Sequence, residues 1–311
     1  MLSDSLVYVA GHRGLVGSAV WRALQEREIE TVGWSSAEVD LRNRDAAFDA
    51  VLSARPQVMV MAAARVGGIM ANATHPVDFL NDNLRIQTNL FEAAHAADVE
   101  RVVFLGSSCI YPKLAPQPIP ESALLTGPLE PTNQAYAIAK IAGIEAVNSY
   151  REQYNRRWIS VMPTNLYGPG DNFDLNSSHV LPAMIRKFHD ADDVVTLWGT
   201  GTPRREFLHS DDAASAILHL IEHYDGDQHV NIGTGEDISI RELAALVAEV
   251  VGFDGRVEWD TSKPDGTPRK LLDVSRLKGL GWAPRIGLRD GVAATCEWFT
   301  ASRQPPTPAS P

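Results

Sequence analysis

The sequence has few cysteines, no excess of positive charge and no long apolar run. Its 311 residues include only two cysteines, Cys109 and Cys296, too few for a disulfide framework. Acidic side chains outnumber basic ones by 39 to 28, and a net charge of −11 argues against a nucleic-acid partner. The longest apolar run, Val58 to Ala64, has the length of a buried strand and is too short to cross a membrane.

The first residues and the thiols together predict a cytoplasmic protein. Residues Met1 to Ser5 lack the basic and apolar segments of a signal peptide. The composition, 44% hydrophobic and 22% charged, is that of an ordinary globular protein. Without an export signal, the two cysteines are expected to be free thiols in a reducing compartment. No metal site is predicted.

Short apolar runs alternate with helical patterns over the first two thirds of the chain. The apolar runs predict buried strands at Leu6–Ala10, Thr31–Trp34, Val58–Ala62 and Val102–Leu105. The helical patterns lie at Leu15–Gln25, Asp45–Ala54, Leu84–Ala97 and Gln134–Tyr154. This alternation predicts an α/β fold built on a Rossmann-type, doubly wound parallel sheet.

After Asn165 the pattern becomes irregular and richer in proline and glycine, which predicts a smaller mixed α/β domain. A capping box at Ser239–Glu242 and a closing Gly252 predict the ends of a helix at Ile240–Val251. We divide the chain into a main domain, residues 1–165 with about 211–235, and a smaller domain, residues 166–210 and 236–300. Residues 301–311 are polar and proline-rich, and they predict a flexible tail.

A glycine-rich turn separates the first strand from the first helix. It consists of Gly11, His12, Arg13, Gly14, Leu15, Val16 and Gly17. Glycines at this spacing let the backbone approach a pyrophosphate, whose charge the N-terminus of the helix stabilises. A plain glycine turn is the alternative, and the strand before it and the helix after it favour a dinucleotide site.

The end of the second strand favours NADP(H) over NAD(H). An NAD enzyme carries an acidic residue there to bind the ribose 2′-hydroxyl, whereas this chain has Ser35 and Ser36. Arg13, inside the glycine turn, provides a cation for a 2′-phosphate. Asp40 comes too late for the ribose, so it is placed either to hydrogen-bond adenine or to sit in a loop.

Three residues form a candidate catalytic set. Tyr136 and Lys140 lie four residues apart on a predicted helix, so they share one face, and Ser107 follows the predicted strand at Val102–Leu105. The set suits carbonyl reduction. Tyrosine donates a proton to the oxygen, lysine lowers the tyrosine pKa from about 10 and holds the cofactor ribose, and serine hydrogen-bonds the same oxygen. A Tyr-x-x-x-Lys pair that merely covers a helix surface is the alternative.

Six further segments carry longer motifs. They are Ala62–Gly68, Leu105–Lys113, Glu130–Asn133, Tyr136–Lys140, Met162–Pro169 and Lys263–Lys270. With the candidate catalytic set, these segments resemble the extended short-chain dehydrogenase/reductase superfamily and, within it, the GDP-L-fucose synthases. The resemblance extends from Val7 to about Phe299. Members of that family often carry an arginine where this chain has Ser35 and Ser36.

The resemblance implies a reaction and two further roles. The family converts GDP-4-keto-6-deoxy-D-mannose to GDP-L-fucose by epimerising C3 and C5 and then reducing C4 with NADPH. It implies that Cys109 is the base and His179 the acid of the epimerisation. A nearby cationic histidine or the cofactor environment would then favour the thiolate. From the residues alone, Cys109 could also be a buried apolar side chain and His179 a capped loop residue.

Two other functions are open to a chain of this kind. One is a nucleotide-sugar 4-epimerase that retains NAD and returns the hydride, and the other is an idle protein that only binds a nucleotide. The missing acid after the second strand argues against the first, and the intact set of Ser107, Tyr136 and Lys140 argues against the second.

The resemblance also implies binding residues and an assembly. Beyond the glycine turn, it places on the cofactor Asp40, Leu105, Gly106, Ser107, Ser108, Lys140, Pro163, Thr164, Asn165, Leu166 and His179. It places on the GDP-sugar substrate Lys187, Trp198, Arg205 and Asp265. Trp198 could equally be a core residue. The resemblance further implies a homodimer that packs through two long helices of the main domain.

Basic residues gather in the later segments and predict one anion-binding cleft. They are the adjacent pairs Arg186 and Lys187, Arg204 and Arg205, and Arg269 and Lys270. A cleft of this kind would fit the diphosphate of a sugar nucleotide, whereas scattered solvated charge is the alternative for any one of these residues.

Overall fold

The fold is described by a computed structural model covering residues 2–175, 177–263 and 265–303. Its strands are β1 (Val7–Ala10), β2 (Thr31–Val32), β3 (Val58–Met61), β4 (Arg101–Leu105), β5 (Ile159–Pro163), β6 (Asn165–Tyr167), β7 (Val194–Trp198), β8 (Arg204–Arg205), β9 (Phe207–His209), β10 (Val230–Ile232), β11 (Ile238–Ser239), β12 (Arg256–Asp260) and β13 (Arg269–Lys270). Its α-helices are α1 (Leu15–Gln25), α2 (Arg44–Ala54), α3 (Ile69–Thr74), α4 (Pro76–Ala96), α5 (Gln134–Tyr154), α6 (Val180–Asp190), α7 (Ser210–His223), α8 (Ile240–Val251), α9 (Ser275–Gly279) and α10 (Leu288–Arg303). Short 3-10 helices lie at Ser108–Ile110, Glu121–Ala123 and Pro131–Asn133.

Six strands form a parallel sheet in the order β10-β5-β4-β3-β1-β2. In the register of the sheet, Val7 of β1 lies between Thr31 of β2 and Val58 of β3. The chain reverses its direction of winding between β1 and β3, and a ligand crevice forms at such a switch point, beyond the carboxyl ends of the strands. The predicted Rossmann-type, doubly wound sheet is confirmed.

Helices cover both faces of this sheet, which explains why its strands are apolar throughout. Side chains of β1 alternate between the two faces. Val7 and Val9 pack into the apolar cluster that includes α1 and α7, and Tyr8 and Ala10 pack into the cluster that includes α4 and α5. The sheet is therefore buried on both sides, and its carboxyl edge is the part left free to bind a ligand.

A third apolar cluster lies outside the sheet. It joins α6, α8 and α10 to the paired strands β7 and β12, through side chains such as Phe188, Leu197, Val247 and Phe299. This cluster supports the division of the chain into two domains, which stays a prediction. Residues 271–282 fall in the predicted smaller domain, yet their apolar side chains pack into the two clusters of the main sheet.

Most predicted boundaries agree with the structure to within one residue. The predicted α1, α5 and α8 are confirmed, and α8 has its capping box, with the backbone N–H of Glu242 donating to Ser239 Oγ at 3.1 Å and that of Ser239 to Glu242 Oε2 at 2.9 Å. No helix in the described ranges is long and apolar enough to cross a membrane.

Three boundaries differ from the prediction. Helix α4 begins at Pro76 instead of Leu84, because proline is tolerated at the first position of a helix. Strand β2 ends at Val32 and is only half-buried, because it forms the edge of the sheet. Helix α10 continues as far as Arg303, into the predicted tail, whose remaining residues 304–311 lie outside the described residues.

Helix α5 lies close against β4 because residue 143 is glycine, and we expect Gly143→Ala to destabilise the protein. A Cβ at this position would overlap the buried ring of Phe104. The overlap should cost more than the gain of about 1 kcal/mol in helix propensity, for a net loss of roughly 1–2 kcal/mol in the free energy of unfolding. Urea denaturation would measure it. Ser149→Ala, on the exposed side of the same helix, is the control and should change little, whereas a more stable Gly143→Ala would contradict the packing argument.

Candidate active site

Loops after three strands of the sheet, β1, β4 and β5, lie at its carboxyl edge. The glycine turn follows β1, Gly106 to Cys109 follow β4, and Thr164 and Asn165 follow Pro163, the last residue of β5. The backbone N–H of Gly106 donates to Val161 O at 2.9 Å, and that of Thr164 donates to Ile232 O at 2.9 Å. These bonds hold the loops to the sheet, so the predicted cofactor residues of this edge lie together.

The glycine turn has the geometry of a phosphate cradle. Gly11 has a φ of +84°, and the backbone N–H of Gly14 donates to Gly11 O at 2.9 Å. A Cβ on Gly17 would overlap Gly11 O, so only glycine lets the turn close. Helix α1 begins directly after Gly14 with no side-chain cap, so the N–H groups of its first turn are left for an anion. The turn fits a pyrophosphate.

Side chains beside the turn bear on the choice of cofactor. Arg13 is exposed. Desolvation of the His12 ring, together with the nearby charge of Arg13, lowers the pKa of His12, whose ring lies 5.1 Å from the ring of Trp21. Glu38, which the sequence analysis did not single out, accepts hydrogen bonds from Ser35 N at 2.7 Å and Ser35 Oγ at 2.6 Å. Those bonds, together with the nearby charge of Arg13, lower the pKa of Glu38. Arg13 is therefore an exposed cation beside the turn, with the carboxylate of Glu38 near it, and its contact with a 2′-phosphate stays a prediction.

Asp40 sits in a loop and is paired with Arg42. Its Oδ1 accepts from Arg42 N at 3.0 Å and from Arg42 Nε at 2.9 Å, and its Oδ2 accepts from Arg42 Nη2 at 2.9 Å. These bonds lower the pKa of Asp40. Of the two expectations for this residue, the geometry favours the loop position, and a contact with adenine stays a prediction.

Lys140 is buried beneath the loop that carries Ser107. Its ammonium donates a hydrogen bond to the carbonyl oxygen of Leu105 at 2.8 Å and lies 5.0 Å from the centre of the Phe104 ring. Burial lowers the pKa of Lys140 to about 8. The ammonium is 5.8 Å from the centre of the Tyr136 ring, so lysine and tyrosine share one face of α5 as predicted. The alternative of a solvent-exposed helix pair is wrong, because Lys140 is 3% exposed.

Tyr136 differs in one respect from the prediction. The sequence predicts that Lys140 lowers the tyrosine pKa, but burial and the nearby Cys109 raise the pKa of Tyr136, and an interaction with Ser107 opposes the rise only in part. The physical reason is that the ammonium of Lys140 is directed to the Leu105 carbonyl, not to the phenol oxygen. Tyr136 is therefore a protonated donor at neutral pH.

Cys109 has two donors on its sulfur. Asn133 Nδ2 donates to Cys109 Sγ at 3.2 Å, and the ammonium of Lys270 lies 3.7 Å from the same atom. The thiol is half-buried, and the backbone N–H of Cys109 donates to Ser107 Oγ at 3.3 Å. The expected cation beside the sulfur is thus a lysine instead of a histidine, and Cys109 is not simply a buried apolar side chain.

His179 is the residue directly before α6, at the N-cap position. Its side chain is exposed and makes no capping hydrogen bond, and its role as the acid of the epimerisation stays a prediction. Desolvation by the surrounding protein and the positive charge of Lys270 lower its pKa. Lys270 is therefore close enough to act on both predicted epimerisation residues.

Three predicted substrate residues lie in the predicted smaller domain. Lys187 lies beside Trp198, and Asp265 lies at the turn that follows Trp198. The ammonium of Lys187 donates to Thr196 O at 2.9 Å and lies 5.9 Å from the ring centre of Trp198, which is 55% exposed. Trp198 is thus not a core residue. Asp265 accepts from Thr200 N at 2.6 Å and Thr200 Oγ1 at 2.9 Å, so its carboxylate fixes the turn after Trp198.

The gathered basic residues divide into two groups. Arg204 and Arg269 both pair with Asp237, and Arg186 pairs with Asp190. In the described ranges the remaining three cations, Lys187, Arg205 and Lys270, make no ion pair with a carboxylate. Burial lowers the pKa of Arg205, and the charge of Glu130 opposes this shift. Three cations of this region are left for an anion.

Comparison with known proteins identifies the family. The model of the NAD dependent epimerase/dehydratase family matches residues 7–233. GDP-L-fucose synthase 1 of Arabidopsis thaliana is 56% identical over 299 residues, covering 94% of this chain and 92% of that protein. The GDP-L-fucose synthase of Escherichia coli (strain K12) is 53% identical over 313 residues, covering 96% of this chain and 97% of that protein.

This chain belongs to the NAD dependent epimerase/dehydratase family and, within it, to the GDP-L-fucose synthases. A solved structure agrees with that membership. The GDP-L-fucose synthetase of Naegleria fowleri bound to NADP has a TM-score of 0.90 and 29% identity, and the alignment covers 97% of this chain and 94% of that one.

For this member of the GDP-L-fucose synthase family, two contacts with the sulfur of Cys109 were missed in the sequence analysis. Asn133 and Lys270 both contact the sulfur of Cys109, yet Asn133 was not predicted as a site residue and Lys270 was predicted only as part of an anion-binding cleft. The signal that could have found them is their position in the motifs Glu130–Asn133 and Lys263–Lys270. Those motifs carried the resemblance, but nothing in their spacing shows that their last residues meet at one sulfur.

We expect Gly17→Ala to weaken NADPH binding at least tenfold, about 1.4 kcal/mol. The added methyl group would push away the Gly11 carbonyl and open the turn. Titration of NADPH fluorescence would measure the dissociation constant. Gly279→Ala is the matched control, because a Cβ there meets no atom within 4 Å. Equal affinities of Gly17→Ala and the parent chain would contradict the assignment of the turn to the pyrophosphate.

Proposed function

We propose that this chain catalyses the NADPH-dependent conversion of GDP-4-keto-6-deoxy-D-mannose to GDP-L-fucose, by epimerisation at C3 and C5 followed by reduction at C4. The observation that carries the proposal is the juxtaposition of two sets of groups on one edge of the sheet. A reductase set, Ser107, Tyr136 and Lys140, lies beside a thiol, Cys109, that a simple reductase would not need. The close relatives of this chain are named for that synthesis.

Ketone chemistry explains why both sets share one pocket. C3 and C5 both flank the C4 ketone, so removal of a proton from either places negative charge on the C4 oxygen. Donors directed at that oxygen stabilise each enolate and also the final reduction. Ser107 and Tyr136 supply these donors, and the interaction between them places both near one acceptor. Epimerisation must precede reduction, because reduction removes the ketone that acidifies the two carbons.

Tyr136 and Lys140 have separate tasks in the reduction. Because burial raises the pKa of Tyr136, its phenol keeps a proton to give to the C4 oxygen. The ammonium of Lys140 is held by the carbonyl oxygen of Leu105 and places a positive charge under the loop that carries Ser107. It has further N–H groups for a cofactor ribose. Ser107 holds the substrate oxygen in line with the phenol.

The cofactor site fits a nicotinamide dinucleotide phosphate. The glycine turn from Gly11 to Gly17 and the first turn of α1 would hold the pyrophosphate, and Arg13 would pair with the 2′-phosphate. When bound, NADPH supplies the hydride for carbonyl reduction. The loop at Pro163–Leu166 would bound the nicotinamide end, at the carboxyl end of β5.

Epimerisation requires a base on one face of the sugar and an acid on the other. We assign the base to Cys109, whose sulfur accepts from Asn133 and faces Lys270, and the acid to His179. The thiolate takes the proton from C3 or C5, and the imidazolium returns a proton to the opposite face of the enolate. Protonation on that face inverts the carbon, and the hydrogen it receives comes from solvent by way of the imidazolium.

The diphosphate of the substrate would lie among the unpaired cations. Lys187 and Arg205 are assigned to it, and Trp198 would cover the nucleotide with its exposed ring. Asp265 is assigned to the nucleoside, although its carboxylate also holds the Thr200 turn. Lysine at position 187 gives a point charge where arginine would give a fork.

We also assign the protein to the cytoplasm and to a homodimer through α4 and α5. These two long helices lie side by side on one face of the sheet, and Ile138 of α5 is 43% exposed on their outer side. Sedimentation of the purified chain would separate a monomer from a dimer, and a change of Ile138 to aspartate should shift a dimer towards monomer.

The direct test is to mix the purified chain with NADPH and GDP-4-keto-6-deoxy-D-mannose. We expect stoichiometric oxidation of NADPH, followed by absorbance, and GDP-L-fucose as the product. Cys109→Ser should abolish solvent-deuterium exchange at C3 and C5 while NADPH still binds. Oxidation that gives an unepimerised sugar would retain the reductase and refute the roles of Cys109 and His179. No net oxidation would favour an isomerase that retains NAD or an idle protein.

The reduction step should fall as pH rises through about 8. Burial lowers the pKa of Lys140 to about 8, so its positive charge is present below that pH and is lost above it. Tyr136 does not contribute to the pH dependence in this range, because its pKa is raised. The pH dependence of kcat/KM for reduction, measured with NADPH, would show the fall in rate. Lys140→Arg cannot titrate there and should remove it, whereas a flat profile for the parent chain from about pH 7 to 9 would contradict the assignment.

A further inference from the structure

Lys270 is held in place by its backbone neighbours. Strand β13 pairs with β8 in parallel, so Lys270 lies opposite Arg205. The next two backbone N–H groups are also fixed, Leu271 N by Gln117 Oε1 at 2.8 Å and Leu272 N by Glu206 Oε2 at 3.0 Å. Glu206 is fully buried. The strand cannot shift without breaking these bonds, so the fold fixes the point from which the Lys270 side chain starts.

The ammonium of Lys270 contacts one of the two proposed epimerisation residues and acts electrostatically on the other. It lies 3.7 Å from Cys109 Sγ, and its charge lowers the pKa of His179. In the part of the chain that the structure describes, Lys270 makes no ion pair with a carboxylate that would neutralise it. The other groups that face Cys109 are the amide of Asn133 and the phenol of Tyr136. Lys270 is therefore the cationic side chain in contact with this sulfur.

We propose that Lys270 is a catalytic residue of the epimerisation, in which its ammonium lies beside Cys109 Sγ and stabilises the negative charge of the thiolate. The proposal rests on the proposed function. Lys270 transfers no proton: Cys109 takes one from carbon, His179 returns one, and the ammonium stays charged throughout. The same ammonium disfavours a positive charge on the nearby His179. The charge that helps the base therefore also limits the pH range in which the acid is protonated.

The first test needs no substrate and measures the thiol directly. In a Cys296→Ser background, which leaves Cys109 as the only thiol, the rate of alkylation by iodoacetamide at about pH 7 reports the thiolate fraction. Lys270→Met should alkylate roughly fivefold more slowly than the parent, and Lys270→Arg should stay close to it. Thermal unfolding would show whether each variant is folded. Equal rates for Lys270→Met and the parent would overturn the proposal.

The second test uses the reaction and separates this role from phosphate binding. For solvent-deuterium exchange into the sugar, the decline at high pH should move to higher pH in Lys270→Met, because the part of the lowered His179 pKa that the Lys270 charge causes is removed, while the part that desolvation causes remains. Lys270→Arg should restore the parent profile. If Lys270→Met raises KM for the GDP-sugar but leaves the alkylation rate and the pH profile unchanged, Lys270 binds phosphate only and the proposal is wrong.

The two tests keep the proposal separate from the proposed function. If the parent chain fails to epimerise the GDP-sugar, the proposed function is wrong, and the alkylation rates still decide whether Lys270 activates the thiol. If the parent chain turns over and Lys270→Met alkylates at the parent rate, the proposed function stands and the role of Lys270 is refuted.

Discussion

The hydrogen bond from the Lys140 ammonium to the carbonyl oxygen of Leu105 ties the catalytic helix to the sheet. A buried cation is costly, and its cost is reduced only where a well-placed acceptor meets it. The acceptor here is the last residue of β4, two positions before Ser107, and Gly143 lets the helix lie close enough for the bond to form. The spacing of Ser107, Tyr136 and Lys140 is thus a property of one helix packed on one strand.

The distribution of charge in the predicted smaller domain follows from a similar constraint. The chain is acidic, yet Asp237 gathers Arg204 and Arg269 while Lys187, Arg205 and Lys270 keep no carboxylate partner in the described ranges. Cations that are already paired gain little from a ligand, because the ligand must first replace a carboxylate. The unpaired ones keep their full attraction for a diphosphate or a thiolate. An overall negative charge therefore coexists with three cations that, within the described residues, remain free to bind the anionic sugar nucleotide of the proposed function.

Local sequence pattern was sufficient for the elements and for residues that are close in the chain. The bounds of α1, α5 and α8 follow from helical periodicity and capping, and Ser107, Tyr136 and Lys140 follow from their places after a strand and on one helix face. Contacts between distant residues could not be predicted in this way. Lys270 reaches Cys109 across 161 positions, and the raised pKa of Tyr136 depends on burial that no spacing reveals.

The placement of Lys270 imposes a compromise on a two-step reaction at one pocket. A cation beside Cys109 favours the thiolate, while the same charge disfavours a protonated His179. In the proposed epimerisation, Cys109 must begin as a thiolate and His179 as an imidazolium. One charge therefore acts on both residues, and the help it gives to the base comes with a lowered pKa of the acid. The proposed reduction depends on Lys140 and Tyr136 and therefore follows its own pH dependence. The order of the two proposed steps is set by the ketone, because reduction removes the group that acidifies C3 and C5.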